Sequence, residues 1–348
     1  MTDILSMTYE KLLDLVTTDL SEKRFRVDQI FTWLHQRRVK SFDEMTDLSK
    51  PLRDRLSKEA FITYPKIIKK LSSKIDGTIK YLFEMADGER IESVLMRYKT
   101  GLSVCLSSEA GCPMGCRFCA SAQNGKSRDL TPGEILSQLY SIEDDIGERV
   151  SHAVLMGTGE PLDNYENVIS FLHIVSDKRG QDMSLRNVTL STCGIAPNIK
   201  RLAGEGLPIT LALSLHSPIQ SEREKIMPIA KVYPLPDVME ACRYYFEKTK
   251  RRVTLEYSLM KGVNDRDVDI EALKKITKDF PCHVNLIPVN PVREASFKAP
   301  GHPEVLDFRK KVEKCGINVT IRRELGRDIE GSCGQLRNAP AKNNERKS

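Results

Sequence analysis

The feature that most constrains this chain is a regular alternation running from residue 131 to residue 323. Stretches with apolar residues at helical spacing are separated by short apolar runs rich in β-branched residues. "TPGEILSQLYSIEDDI" precedes "HAVLMG", and a helix over 163–176 precedes "NVTLST". Helices over 196–204, 236–249, 267–279 and 303–314 are followed in turn by "ITLALSLH", "RVTLEYSLM", "HVNLIPV" and "INVTIRR". Consecutive strands joined by helices run parallel, because a parallel neighbour needs a crossover connection. The pattern predicts an α/β chain with a full or partial (β/α) barrel over 98–330. Its chemistry is expected at the C-terminal ends of the strands.

Other segments flank this core. Residues 1–62 read as a helical accessory domain. "SEKRFRVDQIFTWLHQRR" sets Phe25, Ile30, Phe31 and Leu34 near helical spacing, with Ser21 as the N-cap, and "SFDEMTDLSKPLRDRL" repeats the pattern after a turn. Residues 63–97 read as a short β-rich connector. "KIIKKLSSK", "TIKYLFEM" and "RIESVLMRY" are strand-like and are split by Asp-Gly at 76–77 and 87–88, a hairpin signal. Another strand, "LSVCLSS", opens the core. A last segment, 331–348, carries Cys333 and ends in "NAPAKNNERKS", polar enough to be expected disordered. No internal repeat is visible.

The start, "MTDILSMTYEKLLDL", has early acids and no basic stretch followed by an apolar core, so it does not read as a signal peptide. Runs such as "ITLALSL" are strand-length, short of the roughly 20 residues of a membrane span. A cytoplasmic protein with no membrane partner is expected. The net charge of +6 permits an anionic partner without demanding one. In a reducing compartment, nine cysteines argue for metal or redox chemistry where they cluster, rather than for a disulfide framework. Cys193, Cys242, Cys282 and Cys315 stand alone beside apolar residues and read as small buried hydrophobes.

The clustered cysteines lie in "CPMGCRFC": Cys112, Cys116 and Cys119. A closed zinc site takes four ligands, and no fourth cysteine or histidine follows nearby. Three thiolates can instead hold three irons of a [4Fe–4S] cube. The fourth iron stays open for the amino and carboxylate groups of S-adenosylmethionine. A zinc site completed from afar, for example by Cys105, is the bland alternative, as in a non-catalytic zinc protein that binds RNA. "LMGTGEP" follows one βα unit later. Gly157 and Gly159 there let the backbone approach a ligand, and Glu160 offers a carboxylate to an ammonium group. Together the two motifs resemble the radical S-adenosylmethionine superfamily, whose members share a partial or full (β/α) barrel.

The resemblance narrows further. "SVCLSSEAGCPMGCRFCASAQNG", "MGTGEPLDNYENV", "LSTCGI", "LALSLHS", "NLIPVNP" and "GRDIEGSCGQL" occur in one order, and the match spans residues 20–337. This set resembles the RlmN family, close to Cfr. It implies a radical S-adenosylmethionine partial (β/α) barrel with an N-terminal helical accessory domain and a β-rich connector. The implied activity is methylation of carbon 2 of an adenosine in the peptidyl transferase region of 23S rRNA, and of an adenosine next to the anticodon in tRNAs. Carbon 2 of adenine is electron-poor and cannot attack a sulfonium methyl, so the methyl must first be parked on the enzyme. By resemblance, Cys333 is that carrier, and one S-adenosylmethionine methylates it. A second is cleaved at the [4Fe–4S] cluster to the radical that activates the methyl. Also by resemblance, Glu92 is the proton acceptor, and Cys105 resolves the covalent RNA adduct through a transient disulfide with Cys333. Gly159, Glu160, Ser191, Ser214, Leu215, His216 and Asn290 match positions that bind S-adenosylmethionine. A flavodoxin or ferredoxin is the expected electron donor, and a monomer the expected state.

Two basic groups are candidates for RNA contact: Lys23, Arg24, Arg26, Arg37, Arg38 and Lys40, interleaved with Phe25, Phe31 and Trp33; and Arg322, Arg323 and Arg327 near Cys333. A solvated face over a small helical core is the plain alternative for the first group. The chain departs from the family pattern in places. Gly331 and Ser332 stand where two alanines are expected before the carrier cysteine, and Lys126 and Asp129 stand where an apolar residue and an asparagine are expected. A Cfr-type enzyme, methylating carbon 8, shares the cysteine and Glu-Pro motifs. The N-terminal module and "NLIPVNPV" favour RlmN.

Overall fold

One ten-stranded sheet organises the molecule, which is described here by a computed structural model over residues 1–290, 292 and 296–336. The polar tail 338–348, expected to be disordered, lies outside those residues. Short strands β1 (Thr2–Asp3) and β2 (Ala60–Phe61) pair with each other and close the N-terminal module. Between them lie α1 (Tyr9–Asp14), α2 (Phe25–His35) and α3 (Lys50–Glu59). Strands β3 (Lys66–Ser72), β4 (Ile79–Glu84), β5 (Arg90–Tyr98) and β6 (Gly101–Leu106) form an antiparallel meander. A separate hairpin joins β7 (Glu109–Gly111) to β8 (Lys126–Asp129).

From β6 onward the large sheet is parallel. Its strands β9 (His152–Leu155), β10 (Val188–Thr192), β11 (Thr210–Ser214), β12 (Val253–Leu259), β13 (Cys282–Pro288) and β14 (Val319–Ile321) follow in chain order. Helices α4 (Pro132–Ile146), α5 (Tyr165–Ser176), α6 (Ala196–Gly204), α7 (Gln220–Ile226), α8 (Leu235–Thr249), α9 (Asp267–Thr277) and α10 (His302–Lys314) connect them. Among the described residues β14 and β3 remain the two edges, so the sheet stays open as a partial (β/α) barrel. On β12 one face is apolar and packed against the core, with Val253, Leu255, Tyr257 and Leu259 fully buried, while Glu256 and Ser258 on the other face line the cavity described below.

The strands expected as a connector prove continuous with the barrel sheet, because β5 pairs antiparallel with β6, which pairs parallel with β9. The register sets Val94 opposite Cys105. Side chains alternate along a strand, so Glu92, Val94 and Met96 share a face with Cys105.

The N-terminal module clamps α4. His35 Nδ1 lies 3.1 Å from the Tyr140 hydroxyl, Arg38 pairs with Glu143 and, at 3.0 Å, with Asp144, and Gly133 N donates to Ser6 Oγ at 2.8 Å. Burial pushes His35 down to about 3, so it stays neutral. Ser21 is not the N-cap expected of it. It sits in a left-handed turn at φ 50°, and α2 begins only at Phe25, without a side-chain cap. Helix α7 went unread because "QSEREKI" is short and mostly polar, and the β7–β8 hairpin because its strands are too short to show alternation. No helix among the described residues is long and apolar enough to cross a membrane.

Helix α4 carries a full capping box. Thr131 Oγ1 accepts from Glu134 N at 3.2 Å, and Glu134 Oε2 accepts from Thr131 N at 2.9 Å. Thr131→Ala should cost about 1 kcal/mol. Urea unfolding of the iron-free protein checks this, and an unchanged midpoint would show that the cap contributes nothing.

Candidate active site

The C-terminal ends of the parallel strands enclose a cavity of about 150 Å³. Its wall includes Ser191 from β10, Ser214 from β11, Glu256 and Ser258 from β12, and Arg322 just beyond β14. Of the residues singled out in the sequence, Cys112, Cys116, Cys119, Gly159, Glu160, Ser191, Ser214, His216, Asn290 and Cys333 line this one cavity. Leu215 does not. Its side chain is fully buried in the core, its N–H donates to Glu256 O, and its carbonyl accepts from Arg223.

The cysteine loop hangs from the β7–β8 hairpin. Cys112 N donates to Gly125 O at 2.9 Å, and Gly111 sits at φ 87°, where a Cβ would lie 2.0 Å from that carbonyl. Cys112 is buried, and Cys116 and Cys119 are partly buried. Burial raises the pKa of each, that of Cys116 to about 12. Such thiols hold their protons until a metal displaces them. Three thiolates can each hold a different iron of a cluster, whereas a closed zinc site takes four ligands. Cys105, offered above as a distant fourth zinc ligand, lines another cavity.

The Gly-Glu-Pro turn packs against the strand beside it. A Cβ on Gly157 would lie 2.6 Å from Leu106 O, and Gly159 adopts φ 110° with Ser108 and Glu109 closing on it. Glu160 is buried. Its Oε1 accepts from Leu162 N at 3.0 Å and its Oε2 from Cys193 N at 2.7 Å, which ties the turn after β9 to the turn after β10. Glu109 Oε2 in turn accepts from Glu160 N at 2.8 Å. Burial pushes Glu109 up to about 8, against the pull of Lys126. The Lys126 ammonium reaches Glu109 at 3.1 Å, Asp129 at 3.0 Å and Asp163 at 2.5 Å. The departures at 126 and 129 are therefore one ion network beneath the turn.

His216 has φ 52°, and its Nδ1 accepts from Ser258 N at 2.9 Å. That bond assigns the proton to Nε2. Burial, with Arg223 nearby, pushes it down to about 3, so it is a neutral donor. Its ring meets Phe118, from the cysteine loop, edge-on at 4.8 Å.

Cys333 lies in the wall of this cavity and also in that of a second one of about 430 Å³, which includes Cys105. Both cysteines are free thiols. Burial pushes Cys105 up to about 12, and charge on Cys333 pushes the same way. The Cys333 loop is held at several points. Asn290 Nδ2 donates to Cys333 O at 2.9 Å, Ala120 N to Gly334 O at 2.8 Å, and Ser121 Oγ to Leu336 O at 2.6 Å. Ser332, one of the departures, donates from Oγ to Leu325 O at 2.8 Å. Glu92 is buried outside both walls, 3.1 Å from Lys80 Nζ, which also donates to Glu330 O at 3.1 Å.

Several groups differ from their reading in the sequence. Arg322 is no surface patch. It turns inward, 3.8 Å from Glu256 and against the Met156 sulfur, and charge on Cys333 is the largest influence raising its pKa. Arg327 stays exposed beside the second cavity. In the N-terminal group, Arg38 and Lys40 are engaged with Asp144, and Phe31 and Trp33 are core; Lys23, Arg24 and Arg37 are exposed. Cys242 and Cys282 are buried hydrophobes as expected, Cys315 is partly exposed, and Cys193 is buried but lines the first cavity. Glu256 and Arg223 were not singled out at all; single polar residues in apolar strands or short polar helices give no pattern to find.

Lys126→Met would leave Glu109, Asp129 and Asp163 facing one another. Mutual repulsion raises the folded-state pKa values of such carboxylates, so the stability they permit is present at low pH and lost as pH rises through those values. The melting-temperature deficit against wild type should be small near about pH 5 and grow toward about pH 8. A deficit independent of pH would contradict the network.

Matches to known proteins agree with this geometry. Residues 2–62 match the ribosomal RNA large subunit methyltransferase N-terminal domain, and residues 107–273 match the radical SAM superfamily. A protein of Lachnospira eligens named probable dual-specificity RNA methyltransferase RlmN is 52% identical over 338 residues, covering 97% of this chain and 96% of its own. One of Alkaliphilus oremlandii with the same name is 50% identical over 335 residues, covering 96% and 97%. The crystal structure of a radical SAM methyltransferase from Sphaerobacter thermophilus superposes with a TM-score of 0.91 at 37% identity, covering 97% of this chain and 99% of that one. With identity of this level across nearly its whole length, the chain belongs to the RlmN family of radical S-adenosylmethionine methyltransferases.

Proposed function

We propose that this enzyme methylates carbon 2 of an adenosine in the peptidyl transferase region of 23S rRNA, and of an adenosine next to the anticodon in tRNAs. Cys333 is the methyl carrier, and each turnover uses two molecules of S-adenosylmethionine. The observation that carries the reading is the position of Cys333, in the wall common to the cavity of the three cysteines and the cavity of Cys105. A carrier must meet a methyl source on one side and a base on the other, and the shared wall permits both. The relatives' printed name, dual-specificity RNA methyltransferase, supports an RNA substrate.

The residues divide the work. Cys112, Cys116 and Cys119 would hold a [4Fe–4S] cluster. The Gly-Glu-Pro turn, Ser191, Ser214, His216 and Asn290 would line the bed for S-adenosylmethionine. Bound there, the cluster and S-adenosylmethionine supply a carbon radical, the reagent that an electron-poor carbon requires. Cys333 first takes a methyl group by displacing S-adenosylhomocysteine. The inward Arg322 guanidinium balances its thiolate. Once the activated methyl carbon is joined to adenine, Glu92 takes the proton from carbon 2, and Lys80 balances the charge of that carboxylate. Cys105 then closes on Cys333 as a disulfide and frees the product, and a reductant reopens the pair. Exposed Lys23, Arg24, Arg37 and Arg327 are the RNA phosphate contacts, and a flavodoxin- or ferredoxin-like protein delivers electrons to the monomer. The domain division at 1–62, 63–97, 98–330 and 331–348 follows the same reading.

Two variants test the thiol roles. Cys333→Ala should cleave S-adenosylmethionine slowly and transfer no methyl; methylated RNA from it would remove Cys333 from the carrier role. Cys105→Ala should accumulate a covalent protein–RNA species visible on a denaturing gel. If it yields only free, unmodified RNA, Cys105 is not the resolving thiol.

A further inference from the structure

Arg223, on the short helix α7, is fully buried. Its guanidinium donates to backbone carbonyls: Nη2 to Cys193 O at 2.6 Å and Ser214 O at 3.2 Å, and Nε to Leu215 O at 3.1 Å. Its Nη1 is buried with no hydrogen-bond partner, and among the described residues the charged groups that act on it include no carboxylate. A buried charge without a counter-charge is costly and rare. Carbonyl dipoles satisfy donors but do not cancel a full charge. An anion is therefore missing from the surroundings of this side chain.

The surroundings show where that anion belongs. Helix α7 underpins the cysteine loop: Arg117 N donates to Ile226 O at 2.9 Å, and Gly115 packs on Pro228 just beyond the helix. The groups that act electrostatically on Arg223 are thiols, those of Cys193, Cys116 and Cys242. Cys193 and Ser214, whose carbonyls Arg223 holds, line the same cavity as Cys112, Cys116 and Cys119.

We propose that Arg223 is the buried counter-cation of the iron–sulfur site, offsetting the negative charge of the thiolate-bound cluster and so favouring its one-electron reduction. Arg223 is a positioning and tuning residue; it touches a ligand cysteine's surroundings, not the substrate. Each electron taken up makes the site more negative, and a fixed cation in a dry environment favours the more negative state. The proposal rests on the reading that Cys112, Cys116 and Cys119 hold the cluster.

The test is an anaerobic potentiometric titration of reconstituted full-length protein. Dithionite serves as reductant, and the reduced cluster is followed by electron paramagnetic resonance beside iron and sulfide analysis. Arg223→Met should move the midpoint to more negative potential, with reduction at least tenfold less favourable, which for one electron is about 59 mV. Arg223→Lys, which keeps the charge, should stay near wild type. If Arg223→Met does not fold, Arg223→Gln, which keeps a donor for the Cys193 carbonyl without the charge, takes its place with the same expected shift. A neutral variant with full iron content and the wild-type midpoint overturns the proposal, as does Arg223→Lys shifting as far as the neutral variants, which would mark a purely structural role. Wild-type protein that takes up no iron and sulfide would instead overturn the cluster reading itself.

Discussion

The site depends on one close approach. Strands β6 and β9 pair in parallel, with Leu106 beside Leu155, so the segments leaving their C-terminal ends must run side by side. One becomes the hairpin that carries Cys112, Cys116 and Cys119; the other becomes the turn that carries Glu160. They fit only because Gly157 has no side chain where Leu106 O and Ser107 N would meet it. Glu109 and Glu160 then fasten the two segments through a backbone N–H, and Glu160 reaches onward to the turn after β10. Cysteine loop, Gly-Glu-Pro turn and the strand ends beyond become one rigid rim.

That rim is dry and rich in groups that resist carrying charge. Burial raises the thiols of the cysteine loop, Cys193, Glu160 and Glu256, and lowers His216 and Arg223. Such an arrangement is costly in a protein that only needs to fold. It is suited to one that binds a charged cofactor and an ionised amino acid, because electrostatic interactions strengthen where water is excluded. The Cys333 loop completes the enclosure. It is pinned to Asn290 and to the turn after Cys119, so the Cys333 thiol is held at the boundary between two cavities rather than left on a free tail.

Much of this was legible in the residues. The strands of the barrel were readable because each carries a buried apolar face of Val, Leu or Ile and alternates with a helix-period segment, and the "CPMGCRFC" and "GTGEP" segments stood out because their chemistry needs rare residue types at fixed spacing. What stayed hidden depends on tertiary contact. Arg322 reads as a surface base until its strand is placed beside Glu256. Arg223 sits in a polar heptapeptide that gives no sign of burial. Ser21 looks like a cap, but the chain turns there with positive φ instead. Cys193 reads as an inert core thiol because nothing local tells that Glu160 accepts from its backbone. The departures at Lys126 and Asp129 looked like loose substitutions and are a coupled ion network.

The central claim is that this rim and the Cys333 boundary serve transfer of a methyl group to carbon 2 of adenine in RNA. The most direct measurement supplies anaerobically reconstituted protein with 23S rRNA fragments, a reductant and methyl-deuterated S-adenosylmethionine, and identifies the digested nucleosides by mass spectrometry against standards. The account predicts labelled 2-methyladenosine. Labelled 8-methyladenosine, or 5′-deoxyadenosine with no methylated nucleoside, would contradict it.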